Sequence, residues 1–165
     1  MTTHVLMELS VLEAAHLTDL VQQFADLMDE STGADALDDP AVARLVPDAY
    51  QDDADAAGEF RRLTQGDLLD RRRTDAARVL ASLERDGVPL RVAEIDRADA
   101  ESALVIELDA DGTSAWLRTL TAVRLVLATR LGVTTDDDHD DRDPRFGVYN
   151  WLGFRLEGLL EALEG

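Results

Sequence analysis

The sequence contains no cysteine and no lysine. The first absence excludes a disulfide framework, thiolate metal sites, a cysteine nucleophile and a thiol switch. The second rules out a Walker A phosphate loop, which needs its lysine, and leaves arginine to supply all 16 strongly basic side chains. No hydrophobic run approaches the ~20 residues of a membrane span; Ala122–Ala128 is interrupted by Arg124. The N-terminus lacks a basic stretch followed by an apolar one, so no secretory signal is expected and the address is read as cytoplasmic.

What is present is a chain of 165 residues, 45% hydrophobic, with a formal net charge of -19 and a pI near 4.3. That length and apolar content support one domain with a core of its own, spanning 1–165. The acidity argues against non-specific nucleic-acid binding, because phosphates meet a repulsive mean field. A salt-loving host or a GC-rich genome favouring arginine codons would each account for acidity without lysine. Charge is unevenly spread. Residues 1–60 carry 14 acids and a single arginine, Arg44, whereas residues 61–85 carry seven arginines against four acids. Within that basic island Arg61, Arg62, Arg71, Arg72 and Arg73 form the candidate partner-binding set. The competing reading is internal ion pairing with the surrounding acids. Arg71, Arg72 and Arg73 point about 100° apart on a helix, so one of them must lie near the core edge and snorkel or pair.

Alternation in residues 4–9 reads as a strand, and Ser10 as the N-cap of a helix to about Glu30, with Glu13 in the capping-box position. Leu12, Ala15 or His16, Leu20, Gln23 or Phe24 and Leu27 are its expected apolar face. A short helix is expected at 40–45 behind Pro40, then one over 56–63, and a longer one from a Thr64 cap to about Arg85, closed by Asp86-Gly87. Residues 88–95 read as a weak strand and 103–109 as the strongest. Residues 109–112 read as a turn into a helix from Thr113 or Ser114 to Leu131, stopped by Gly132. Trp116, Leu120, Val123, Leu127 and Leu131 stripe it. A last helix covers about 148–162. The sum is an α+β fold, predominantly helical with about five helices, and a two- or three-stranded antiparallel sheet.

Signals for chemistry are sparse. Asp136, Asp137, Asp138, Asp140, Asp141 and Asp143 sit in an acidic loop at 134–144 but lack the EF-hand spacing. His4, His16 and His139 show no zinc-ligand spacing. No serine stands in GxSxG and no glycines form GxGxxG. No catalytic residue, metal ligand or cofactor is assigned. Trp116, Leu120, Arg124, Leu127, Arg130, Tyr149 and Trp151 form a core or interface signature; periodicity does not separate the two.

Taken together, Arg44–Tyr50, Glu59–Thr64, Trp116–Leu120, Arg124–Val133 and Tyr149–Gly153 resemble an actinobacterial family of domains of unknown function numbered 2017. The resemblance covers about residues 5–163. It implies a neighbourhood with the adaptor of the Clp protease. It also implies kinship with a branch, the AosR oxidative-stress regulators, that acts with a sigma factor in transcription. That branch senses oxidants through CxxxC, which this cysteine-free chain lacks. The leading expectation is therefore a non-enzymatic regulatory module that binds a protein, a sigma factor or RNA polymerase. The alternatives are a Clp-associated accessory protein, and a structural homodimer or small-molecule binder. Direct nucleic-acid binding and membrane association are not expected.

Overall fold

The computed structural model describes residues 4–31, 38–46, 54–133 and 142–164, with the backbone alone for 54–65. Strand β1 (Val5–Ser10) runs straight into helix α1 (Val11–Glu30). Ser10 caps it as expected, its Oγ accepting from the Glu13 amide at 3.0 Å. β1 pairs antiparallel with β2 (Ala103–Leu108), Val5 opposite Leu108 and Met7 opposite Ile106. Period-two alternation puts Val5, Met7, Leu9, Ile106 and Leu108 in the core, and leaves Leu6 and Val105 exposed on the outer face.

Around this sheet, among the described residues, lie α2 (Pro40–Ala43), α3 (Ala54–Ser82), α4 (Arg97–Ala100), α5 (Ala110–Leu131) and α6 (Gly147–Glu164). A predominantly helical α+β fold with a two-stranded sheet is what results. α5 is the central helix, packed against α2, α3 and α6. Trp116 and Leu120 are fully buried, and Trp116 donates its indole N–H to Ser82 Oγ at 2.8 Å across the α3–α5 interface. Gly132 ends α5 at φ 78, a left-handed position that glycine takes without a Cβ penalty.

Several expected boundaries differ. The two helices expected over 56–63 and 65–85 are one continuous helix, α3, which ends at Ser82 and has Thr64 inside it rather than capping a second one. A local capping signal does not break a helix that lacks proline, and Gly66 meets nothing within 4 Å of where its Cβ would be. α5 starts at Ala110, earlier than expected, because Asp109 is the cap: its Oδ1 accepts from the Gly112 amide at 2.7 Å. Thr113 is not a cap but bonds back to the Asp109 carbonyl at 2.8 Å. Residues 88–95 form no sheet strand. Asp86 and Gly87, at φ 55 and 77, make a tight turn closed by a single Arg85–Val88 pair, and Pro89 has no N–H to extend the ladder.

The α1 face is also rotated from expectation. Val11, Ala14, Leu17, Val21, Phe24 and Met28 are buried, while His16 and Gln23 are exposed. Small residues Ala14, Ala15 and Ala25 are buried on that face, where α1 packs closely against α3. Residues 32–37 and 47–53, and the acidic loop through residue 141, lie outside the described residues.

Candidate functional site

The three consecutive arginines of α3 fall into three environments. Arg73 is an internal clasp: Nη1 reaches Asp29 on α1 at 2.9 Å and Nη2 reaches Asp70 at 2.7 Å. Arg71 is exposed and has no hydrogen bond or ion pair among the described residues. Arg72 is half-buried, and its Nε is sealed from solvent without a hydrogen-bond partner. It is the arginine at the core edge.

Three residues along α3 from Arg72, Asp75 is held by Arg118 on α5 through two bonds, Nε to Oδ2 at 2.8 Å and Nη2 to Oδ1 at 3.0 Å. This fork occupies both carboxylate oxygens. Burial pushes the Arg72 pKa below its ordinary value; Asp75 opposes that shift and Arg118 adds to it. The Asp75 bond raises the Arg118 pKa, and the Asp29 bond raises that of Arg73. All three stay charged at neutral pH. Arg71, Arg72 and Arg118 line a groove of about 570 Å³ between α3 and α5 together with Asp67, Asp70 and Asp75, of which Asp70 and Asp75 are already paired with Arg73 and Arg118. Arg61 and Arg62 lie on α3, outside the residues whose side chains are described.

On the other side of α5 lies a wider groove of about 860 Å³, between α5 and α6. Leu117, Phe154 and Leu160 give it apolar walls, and Arg124 lies across it. The Arg124 guanidinium packs on the Tyr149 ring, and its Nε donates to the Tyr149 carbonyl.

The signature positions gather around α5. Arg44 Nη1 donates to Thr129 Oγ1 at 2.9 Å, so the segment after α2 is tied to the last turns of α5. Arg130 forks onto Asp39 at 2.9 and 2.7 Å, and Asp39 also caps α2 through the Ala41 amide. Arg130 thereby draws the Asp39 carboxyl below its usual range. Trp116, Leu120 and Tyr149 are buried; Leu127 and Trp151 are half-buried against the core. These residues hold helices together.

Among the described residues no group of three or more histidine, aspartate or glutamate side chains could hold a metal. His4 Nδ1 lies 2.9 Å from Glu107 Oε1 on the outer face of the sheet, and His16 lines a separate groove between α1 and α6. Two pairs of contributors are not marked by any local pattern. Asp75 and Arg118 are 43 positions apart, and no local pattern couples them. Phe154 and Leu160 read as ordinary helix apolars, yet they stand 65% and 51% exposed.

The chain belongs to the family described as "Domain of unknown function (DUF2017)", which matches residues 2–163. No curated protein and no solved structure matches it.

Proposed function

We propose that this DUF2017 chain is a regulatory module that acts by binding another protein, and that it does so through the groove between α3 and α5. One observation supports this above the others. Arg72 is a half-buried cation whose Nε has no hydrogen-bond partner, and the Asp75 carboxylate that attracts it is already bonded to Arg118 through both oxygens. A partly desolvated guanidinium with a sealed N–H left unbonded is costly in an isolated domain. A carboxylate that a partner places in the groove lined by Arg72 offsets that cost through its charge, without reaching the sealed Nε. Exposed Arg71 beside it adds a second donor for the same acid. Charge complementarity of this kind sets partner choice and register more than raw affinity.

The transcription apparatus is the first place to seek the partner, on the resemblance to stress regulators. The test is affinity capture from host lysate at physiological salt, with Arg71→Glu as control and circular dichroism to check its fold. Recovery of a sigma factor or RNA polymerase by the wild type alone supports the full reading. Recovery of Clp components keeps the protein-binding role and replaces the transcriptional one. Equal recovery by both chains rejects the arginine groove.

A further inference from the structure

Both grooves open on the same stretch of α5. Arg118 lines one and its neighbour Leu117 lines the other, with Thr121 and Arg124 continuing along the second. On a helix those neighbours are about 100° apart, and positions 114 and 121 fall between them. Ser114 and Thr121 stand there, both short, and Thr121 is exposed. The ridge separating the grooves is therefore low. Beyond it the α6 wall carries Phe154 and Leu160, exposed on a helix whose buried side already holds Tyr149, Leu152 and Leu159.

We infer that the two grooves form one footprint for an acidic amphipathic helix of another protein. This rests on the proposed arginine-groove contact and extends it. The partner's apolar stripe lies against Leu117, Phe154 and Leu160, and its acidic edge faces Arg71 and Arg72. Helix-in-groove recognition reads apolar anchors at i, i+3, i+4 and i+7 in this manner. The opposite edge runs beside Glu157 and so is not acidic. The net charge of -19 does not forbid an acidic partner. At physiological salt charges are screened beyond roughly 8 Å, so the contacting arginines decide. A second copy of the chain is the competing occupant, because α6 itself sets Glu157, Glu161 and Glu164 beside exposed Phe154 and Leu160, and the sedimentation arm below separates the two.

The test uses the full chain and a fluorescein-labelled peptide of about 18 residues, or five turns. The peptide has leucine at the i, i+3, i+4, i+7 positions and glutamate along one edge; a control replaces each glutamate with glutamine. Binding is read by fluorescence anisotropy for wild type, Arg71→Glu, and the double variant Phe154→Ser with Leu160→Ser. Both variants alter exposed side chains, and an unchanged melting temperature verifies that each is folded. The expected result is a loss of about tenfold or more for each variant, of the size seen for truncated hot-spot side chains. The glutamine peptide should lose affinity for the wild type but lose little further on Arg71→Glu. Loss with Arg71→Glu alone overturns the helix footprint and leaves the arginine groove standing. Loss with the double variant alone overturns the acidic edge. No binding of the acidic peptide overturns the footprint, and lysate capture then decides the arginine groove separately. Sedimentation of the chain as a dimer that the double variant dissolves assigns the α6 wall to self-association and also overturns it.

Discussion

The Arg124 guanidinium lies 3.9 Å from the centroid of the Tyr149 ring, and its Nε donates to the carbonyl of the same residue at 3.1 Å. This geometry requires Gly153. A Cβ there would stand 2.9 Å from Arg124 Nη2 and 3.0 Å from Cζ. The glycine is a notch in α6 that lets a charged group from α5 rest on the helix.

A double-mutant cycle tests the notch. In an Arg124→Ala background, Gly153→Ala should stabilise the protein by about 0.5–1 kcal/mol, the helix-propensity difference. In the wild-type background the guanidinium must swing away from the ring and carbonyl, so the gain should vanish or reverse. Urea unfolding of the four chains measures both. The same gain in both backgrounds would remove any role for the notch.

Trp116 and Ser82 give a second prediction. The buried indole N–H donates to Ser82 Oγ, whose own hydroxyl donates to the Val79 carbonyl at 2.6 Å. Ser82→Ala leaves the indole N–H without its acceptor and should cost about 1–3 kcal/mol. Trp116→Ala also opens a cavity between α3 and α5 and should cost roughly 3–5 kcal/mol. Chemical denaturation distinguishes them; a neutral Ser82→Ala would mean that the indole finds another acceptor.

How far residues alone disclosed this molecule is clear from such pairs. Ser10, Gly132, the period-two strands and the α5 stripe were legible because each signal acts within a turn or a pleat. Thr64 and Thr113 misled for the same reason. Thr64 looks like a cap and Thr113 like a helix start, but α3 simply continues, and Asp109 captures the start of α5 four residues before Thr113. The α1 face was ambiguous because two stripes of apolar residues compete on it, and only packing against α3 selects one. The candidate site depended least on local pattern. That one of Arg71, Arg72 and Arg73 must reach the core edge followed from helical spacing, but which one depended on Asp29 and Arg118 from other helices.

Asp39 makes the tie between α2 and α5 sensitive to acid. Its carboxyl titrates below the ordinary 3.8, mainly through the Arg130 hydrogen bond, with burial opposing and the Ala41 amide assisting. A folded pKa below the unfolded one means that the stabilisation is complete above the ordinary carboxylate range. It is lost as pH falls through the folded value. Both side chains are partly exposed, so the pair is worth about 0.2–1 kcal/mol. Asp39→Asn should lower stability by that amount at neutral pH, and its deficit should shrink as pH drops well below 3.8. Thermal melts from neutral to acid pH measure the deficit. One that stays constant across the range would show that the charge contributes nothing.

Arg72 separates a stability role from a binding role. A side chain kept for folding should destabilise when removed, whereas one kept for a partner need not. Arg72→Met retains the length and apolar stem while deleting an Nε that has no partner. It also removes a cation facing Arg118. The attraction to Asp75 that is lost outweighs that repulsion, so the relief comes chiefly from no longer desolvating the charge. The variant should therefore match the wild type or gain about 0.5–1 kcal/mol, as substitutions that relieve functional strain often do. Its affinity for the captured partner should fall at the same time. Denaturation midpoints and a binding isotherm on the same preparation measure both quantities. A large loss of stability would return Arg72 to the internal ion-pair network, while a stable variant with unchanged affinity would take the partner contact away from it.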